Sequence, residues 1–379
     1  MHIHYFGQGA IISNSHEILY LNSKEYSIFD IVARNYSKNN DKEIVEKKTL
    51  RYLEAKWLLK NSSILIPRIR KFIRIIDSDP FKGDNRYTGV KGAYYPMMLT
   101  LYITNRCFHN CVHCFRFSSK HSKEMSIESV NYILNKVKGK VPNIVLSGGE
   151  PLIHYEFEKI LQNLNGFATT GIVTSLYGCG TDIIKNLDIF SDIQVSIYGW
   201  DEKSHDEFTN SKGSFQEVWS NIKLIVKSGR NVTITSMNND IRKIERIVNL
   251  CINAGVKKLQ FGEIVQMGRA KLNSDKISEY ALSKRIILNL QEKYHDEIEI
   301  LYDEGCFSNA NFSYCGAGTY KIDIDEGGNA FPCIFASRLS FSNIIKDKDI
   351  FENKVKINSS FLDYTNITCS ALKNICNIY

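Results

Sequence analysis

From residue 98 onward, short segments rich in Val, Ile and Thr alternate with segments of helical periodicity. The pattern predicts strands over 98–104, 143–147, 167–175, 192–198, 231–237 and 258–264. It predicts helices near 126–138, 155–164, 181–187, 215–228, 241–254 and 278–294. Such alternation is typical of an α/β fold with a parallel sheet covered by helices. Six units, where a closed barrel has eight, predict a partial (β/α)6 TIM-like barrel with its active site at the carboxyl ends of the strands.

The remaining segments predict two flanking units. Residues 1–76 predict a small winged-helix-like domain, with strands over 10–13 and 17–22 and helices over 23–33 and 44–60. Gly, Pro and Asp cluster in the following segment, so a linker is expected over 77–96 and the barrel over 97–300. Residues 301–379 contain five of the ten cysteines and predict a C-terminal Cys-rich Fe–S extension.

Composition narrows the setting of the chain. The 379 residues are 43% hydrophobic, which is enough for a large core, and the net charge is +7. Residues 1–76 carry 13 Lys and Arg against 7 Asp and Glu, a balance that suits an acidic partner or simply a solvated face. We find neither a transmembrane segment nor a signal-peptide pattern, so a cytoplasmic protein without membrane contact is expected. In a reducing compartment, ten cysteines favour metal ligands and catalytic thiols over disulfides.

Three cysteines follow the first barrel strand, in the sequence CFHNCVHC that ends at Cys114. Structural zinc usually takes four ligands, so the set Cys107, Cys111 and Cys114 fits zinc poorly, although His109 and His113 lie within it. Three unligated thiols packed this densely in a loop would invite oxidation. A [4Fe–4S] cluster held by only three thiolates would instead leave one iron open to an outside ligand.

With this CxxxCxxC spacing after the first strand, the chain resembles the radical S-adenosylmethionine (SAM) enzymes. The resemblance implies that SAM binds the open iron and that an electron from the cluster splits it into methionine and a 5′-deoxyadenosyl radical. Gly148, Gly149 and Glu150 resemble the family's GGEP element, in which the glutamate accepts a hydrogen bond from the SAM ammonium. Three further positions resemble family positions near SAM: Ser175 and Ser196 end the third and fourth strands, and Arg269 belongs to a GRA element near the adenosine.

One motif departs from the family pattern. Related sequences often read HDxxRG after the fourth strand, whereas this chain reads HDEFTN from His205. Thr209 stands where Arg is usual, which puts any carboxylate contact from that position in doubt, and Lys212 is a speculative substitute.

The C-terminal region resembles the SPASM/twitch extension of peptide-modifying radical SAM enzymes. The segment from Cys315 to Cys333 is similar to a hairpin that supplies two thiolates to an auxiliary Fe–S cluster. The resemblance implies that Cys369 and Cys376 complete the ligand set. Cys306 is left over, and three roles stay open for it: a further ligand, a hydrogen-atom donor in catalysis, or an inert core thiol.

The N-terminal segment resembles a PqqD-like domain, which recognises the leader of a precursor peptide. An exposed strand edge would let the leader add as another strand. An ordinary winged-helix-like cap on the barrel is the alternative.

Together the resemblances imply maturation of a ribosomally made peptide, with an electron donor such as flavodoxin or ferredoxin. A thioether crosslink is the expected product; epimerisation that uses Cys306 and a carbon–carbon crosslink are the alternatives. A non-catalytic Fe–S or zinc protein that binds peptide would have no use for the glycine–glutamate element. Nucleic acid is not an expected partner, because the barrel has no concentrated basic stripe.

Overall fold

The computed structural model describes residues 2–7, 9–13, 18–21, 23–38, 41–55, 62–76, 86–237, 241–262, 264–265, 267–273, 284–303, 317–318, 320–335 and 340–352. Within these ranges, every helix is too short or too polar to cross a lipid bilayer.

The N-terminal unit is a four-stranded sheet packed against three helices. Its strands are β1 (His2–Phe6), β2 (Gly9–Ser13), β3 (Ile18–Leu21) and β4 (Arg86–Gly89), in the order β3-β2-β1-β4. Its helices are α1 (Ser23–Lys38), α2 (Lys42–Ala55) and α3 (Ser62–Ile75). Phe29, Leu53 and Phe72, one from each helix, belong to one buried cluster that also includes residues of the sheet. The sequence pattern predicted β2, β3, α1 and α2; it missed β1, α3 and β4.

The expected linker over 77–96 contains part of this sheet. Residues 77–85 lie outside the described ranges, but Arg86–Gly89 forms β4, which pairs in parallel with β1. The buried imidazole of His4 on β1 bonds through Nδ1 to Thr88 Oγ1 at 2.8 Å and through Nε2 to the Tyr95 carbonyl at 2.7 Å. The second half of the segment is therefore part of the N-terminal unit. Its strand β4 pairs with β1, and Thr88 and Tyr95 bond to the His4 side chain of β1.

The larger sheet has ten strands in the order β11-β10-β9-β8-β7-β6-β5-β12-β13-β14. Its consecutive parallel strands are β5 (Met98–Thr104), β6 (Asn143–Gly148), β7 (Thr169–Thr174), β8 (Asp192–Ser196), β9 (Thr233–Ser236), β10 (Lys258–Gly262) and β11 (Glu299–Asp303). The first six are the predicted strands. The α/β fold with a parallel sheet is therefore confirmed, and β11 extends it by one strand.

Helices follow the strands, as βα units require. They are α4 (Ile127–Val137), α5 (Phe157–Gln162), α6 (Thr181–Lys185), α7 (Glu202–Thr209), α8 (Ser214–Lys227), α9 (Ile241–Asn253), α10 (Arg269–Leu272) and α11 (Lys284–Tyr294). In α4, Val130, Ile133 and Leu134 repeat at helical spacing and belong to the buried cluster that contains alternate residues of β5. The Ser126 side chain caps this helix by accepting from the Ser129 N–H.

The C-terminal region adds β12 (Lys321–Ile324), β13 (Asn329–Phe331) and β14 (Ser342–Asn343) to the same sheet. β12 pairs in parallel with β5, the strand that precedes the three cysteines, and β13 folds back antiparallel on β12. The predicted boundary at residue 300 therefore does not separate two sheets, because the open edge of β5 is completed by the C-terminal hairpin.

Candidate active site

Cys107, Cys111 and Cys114 lie in the loop that follows β5, at the carboxyl end of the parallel sheet. Cys107 is buried, and the other two are partly exposed. The Cys107 N–H donates to the Ser119 carbonyl at 3.1 Å, and the Cys114 N–H donates to the Cys111 carbonyl at 3.2 Å. The loop therefore has a fixed backbone path, and we call residues 105–119 the cysteine loop.

Two glycines after β6 let this loop begin close to the sheet. A Cβ atom on Gly148 would lie 2.2 Å from the Thr104 carbonyl oxygen, and one on Gly149 would lie 2.2 Å from that of Arg106. The backbones also bond there: Gly149 N–H donates to Thr104 at 2.8 Å, and Glu150 N–H donates to Arg106 at 2.7 Å. Any side chain at these glycines would displace the segment that leads into Cys107.

Glu150 is fully buried and joins the ends of β6 and β7. One carboxylate oxygen accepts from Thr174 Oγ1 at 2.6 Å and from the Leu152 N–H at 3.1 Å. The other accepts from the Ser175 N–H at 2.6 Å and from Ser175 Oγ at 2.5 Å. Burial raises the pKa of Glu150, and the bonds from Ser175 and Thr174 oppose that shift. The structure thus brings Glu150 and Ser175 together, and an ammonium ligand would have to replace one of these donors to bond to the carboxylate.

Arg269 begins α10 and binds the backbone of the cysteine loop. Its N–H donates to the Cys114 carbonyl at 2.9 Å, while Nε donates to the Cys111 carbonyl at 2.8 Å and Nη1 to the Ser118 carbonyl at 3.1 Å. Gly268 has a φ of 56° and lies so close to the loop that a Cβ would be 2.4 Å from the Phe115 carbonyl oxygen. In the structure, the guanidinium of the GRA element therefore bonds to the loop backbone.

The carboxyl end of α7 holds the loop from another side. The Phe208 and Thr209 carbonyls accept from the N–H groups of Val112 and Asn110, at 3.1 and 3.0 Å. Thr209 is buried, and its hydroxyl bonds to the His205 carbonyl and to Ser214. The residue at the unusual position therefore supports the helix end, and the loop is clamped between α7 and α10.

Ser196 ends β8, and its side chain acts to lower the pKa of the nearby Tyr198 phenol. Burial and the neighbouring Cys111 raise the pKa of the Tyr198 phenol well above its usual range. The His113 ring lies 4.6 Å from the Tyr198 ring, between centroids. Tyr198 was not among the predicted site residues. Its position two residues after Ser196, the predicted end of the fourth strand, could have indicated that it lies near the site.

Three buried imidazole nitrogens have no hydrogen-bond partner within the described part of the chain. They are His109 Nε2, His113 Nδ1 and His205 Nε2. Burial lowers the pKa of His109 and His113 to about 3 and that of His205 to about 4, so all three rings are neutral at physiological pH. The His109 ring stacks on Tyr177, with 4.5 Å between centroids. These three imidazoles therefore give the loop aromatic, uncharged neighbours.

The protonation of the thiols depends on whether a cation is bound. Burial raises the pKa of Cys107 to about 12 and that of Cys111 well above its usual range, so both stay protonated unless a cation binds. The backbone N–H of His109 opposes the rise in the pKa of Cys107, because it favours the thiolate. Among the described residues, no three Cys, His, Asp or Glu side chains converge on a single metal ion. A cubane cluster does not need such convergence, because each thiolate binds its own iron.

Of the C-terminal cysteines, the structure describes Cys333. It is buried at the end of the β12–β13 hairpin, near the Tyr102 phenol of β5. Cys306, Cys315, Cys369 and Cys376 lie outside the described residues.

The fold and the site define a class of α/β protein in which three thiols lie on one loop at the carboxyl end of a parallel sheet. Residues 101–251 match the family model described as "Radical SAM superfamily". This part of the chain is therefore similar to the radical SAM enzymes, a superfamily whose members use a [4Fe–4S] cluster and SAM.

Two curated relatives come from Bacillus subtilis (strain 168). The sporulation killing factor maturation protein SkfB is 26% identical over 276 residues, which are 69% of this chain and 65% of the relative. The antilisterial bacteriocin subtilosin biosynthesis protein AlbA is 23% identical over 263 residues, 66% of this chain and 58% of the relative. The match thus spans less than two thirds of the length of either relative.

Among solved structures, that of Streptococcus suis SuiB covers 95% of this chain and 89% of the SuiB chain, with 16% identity and a TM-score of 0.63. SuiB bound to its precursor peptide SuiA covers 94% of this chain and 88% of that one, with 14% identity and a TM-score of 0.64. At this level of identity the likeness concerns the fold.

Proposed function

We propose that the chain matures a ribosomally made peptide by forming a thioether between a cysteine sulfur and a carbon atom of the peptide. The observation that carries the proposal is the clamped three-thiol loop within a radical SAM domain. Relatives support the substrate class, because SkfB and AlbA are named for the maturation or biosynthesis of a killing factor and a bacteriocin, and SuiB has been solved with a precursor peptide.

Cys107, Cys111 and Cys114 would hold the cluster in this proposal. When bound, the cluster and SAM supply a 5′-deoxyadenosyl radical, for which a one-electron donor such as flavodoxin or ferredoxin is needed. Glu150 and Ser175, with Gly148 and Gly149, would orient the amino acid part of SAM beside the loop. Ser196 ends β8 and so lies at the same end of the sheet. Arg269 would act by holding the loop in its binding conformation.

Thioether formation has a simple balance of atoms and electrons. One S–H and one C–H bond break and one S–C bond forms, so the peptide loses two hydrogens. One leaves as a hydrogen atom and the other as a proton, with one electron to be accepted. We propose an auxiliary Fe–S cluster as the acceptor, with ligands drawn from Cys315, Cys333, Cys369 and Cys376.

The N-terminal sheet offers a site for the leader of the peptide. Within the described ranges, β3 pairs on one side with β2, and its other edge faces away from the sheet. Such an edge presents N–H and C=O groups that an extended peptide can pair with. We therefore propose that the leader adds along β3.

Mass spectrometry of a precursor peptide co-expressed with the enzyme tests the reaction. A thioether lowers the peptide mass by two hydrogens and blocks alkylation of one cysteine. An unchanged mass with deuterium uptake from heavy water would identify epimerisation instead, and Cys306→Ala would then stop release of the inverted residue. Loss of two hydrogens with every cysteine still alkylated would indicate a carbon–carbon crosslink.

The β3 edge can be tested without deleting the domain, whose removal at residue 76 would leave β4 unpaired. In an edge strand, successive N–H groups point alternately to the neighbouring strand and to the open edge. Leu19 and Tyr20 are adjacent, so only one of the variants Leu19→Pro and Tyr20→Pro removes an N–H that points to the open edge. That variant should bind the leader more weakly, as measured by fluorescence polarisation. That variant should still cleave SAM without peptide. Unchanged leader affinity in both variants would contradict recognition at this edge.

A further inference from the structure

The cysteine loop contacts the hairpin that carries Cys333. The ring of Phe115, the residue after Cys114, lies 4.8 Å from the ring of Phe335, between centroids. Both rings pack against a buried cluster formed by Tyr102 of β5 with Phe331 and Ile334. The two cysteine-bearing segments therefore share one apolar contact.

An ion pair crosses the same contact. Arg116 Nη2 donates to Glu326 Oε2, and Arg116 Nε donates to Asn105 Oδ1 at 3.3 Å. The guanidinium also lies 4.8 Å above the centre of the Tyr102 ring. The Arg116 and Glu326 side chains are only 9% and 19% exposed. Arg116 thus joins both ends of the cysteine loop to the hairpin.

Glu326 is presented by a well-ordered turn. The Asp325 carboxylate accepts from the N–H groups of Gly327 and Asn329 at 2.9 and 2.8 Å, which closes the turn between β12 and β13. The backbone that carries Glu326 therefore has a defined turn conformation, and the Glu326 side chain joins this turn to Arg116 of the loop.

A nearly buried ion pair contributes little net stability to a fold. Removing two charges from water offsets most of their attraction, whereas removing one partner leaves an uncompensated charge in the interior. The position of this pair, two residues beyond Cys114, places one positive and one negative charge beside the cysteine loop. Such charges affect the reduction potential of a nearby cluster.

We propose that Arg116 and Glu326 are a positioning pair, which holds the cysteine loop against the C-terminal hairpin. The pair also balances the charge beside the cluster proposed for the cysteine loop, which we call the first cluster. The inference rests on the proposed function only in that the three cysteines hold a cluster. It assigns to the hairpin a role at the SAM site that is separate from ligation by Cys333.

The test uses the full-length enzyme, reconstituted with iron and sulfide without oxygen. The signal that shifts in electron paramagnetic resonance when SAM is added identifies the first cluster. Glu326→Gln removes a negative charge and should raise the midpoint potential of that cluster, while Arg116→Gln removes a positive charge and should lower it. Both variants should release iron from this cluster to a chelator at least tenfold faster than the wild type. The charge-swapped double variant Arg116→Glu with Glu326→Arg should restore much of the retention.

Asp188→Asn is the matched control, since it breaks an Arg–carboxylate pair with Arg230 elsewhere in the barrel. It should leave the potential and the iron release unchanged. Potential shifts of the same sign in the two single variants, or iron release equal to that of the wild type, would overturn the proposal. A reconstituted wild type in which no signal responds to SAM would refute the proposed function itself, and the positioning role with it.

Discussion

Substitution of Arg269 should open the cysteine loop. Arg269→Met keeps the length of the side chain but removes the bonds from the guanidinium to the Cys111 and Ser118 carbonyls. Hydrogen bonds to charged groups contribute about 1.5–3 kcal/mol each, so the closed loop should lose about 3 kcal/mol or more relative to the open one. Because the cluster binds only the closed loop, its apparent affinity falls with the closed fraction, by up to roughly 100-fold for about 3 kcal/mol.

The assay is chelator competition on the reconstituted enzyme, followed by absorbance of the cluster. Arg269→Lys should be intermediate, since one ammonium keeps the charge but cannot donate to both carbonyls with the geometry of a guanidinium. Lys271→Met is the matched control, because Lys271 lies on the same short helix with an exposed side chain. If Arg269→Met held its iron as strongly as the control, the clamp described here would not contribute to cluster binding.

Three further predictions concern the cysteines, the glycines beside the cysteine loop, and His4 of the N-terminal sheet. Replacing Cys107, Cys111 and Cys114 together by Ala should abolish SAM cleavage, and undiminished release of 5′-deoxyadenosine would refute the site. Gly149→Ala, whose Cβ would meet the Arg106 carbonyl, should lose iron binding with an intact circular dichroism spectrum, whereas Gly262→Ala, with its nearest neighbour at 4.0 Å, should not. Burial lowers the pKa of His4 from 6.5 to about 4, opposed by its bond to Tyr95, so the folded state resists protonation. The stability from neutral His4 is present above pH 6.5 and lost towards pH 4, by about 3 kcal/mol, and His4→Asn should remove that part of the pH dependence in denaturant unfolding.

The sequence predicted the parallel strands of the barrel well, because strands buried on both faces read as short apolar runs between helical periods. It also predicted that Glu150 and Ser175 lie at one end of the sheet, since the carboxyl ends of neighbouring parallel strands lie at the same edge. It missed β1 and β4, because their sequences HIHYF and RYTG lack the adjacent aliphatic residues that marked β2. The roles of Gly148, Gly149 and Arg269 in shaping the loop depend on backbone approaches between distant segments, which local patterns do not record.

The pairing of β12 with β5 has a consequence for biosynthesis. Met98 lies opposite Lys321, so the strand that leads into the cysteine loop gains its second neighbour only when residue 321 and the rest of β12 have left the ribosome. Until then β5 is an unprotected sheet edge, and a non-local contact of this kind forms slowly. A nascent chain that stalls before residue 321 would expose this apolar edge and be prone to aggregate. Iron delivered to the three cysteines at that stage would meet a loop without its C-terminal support.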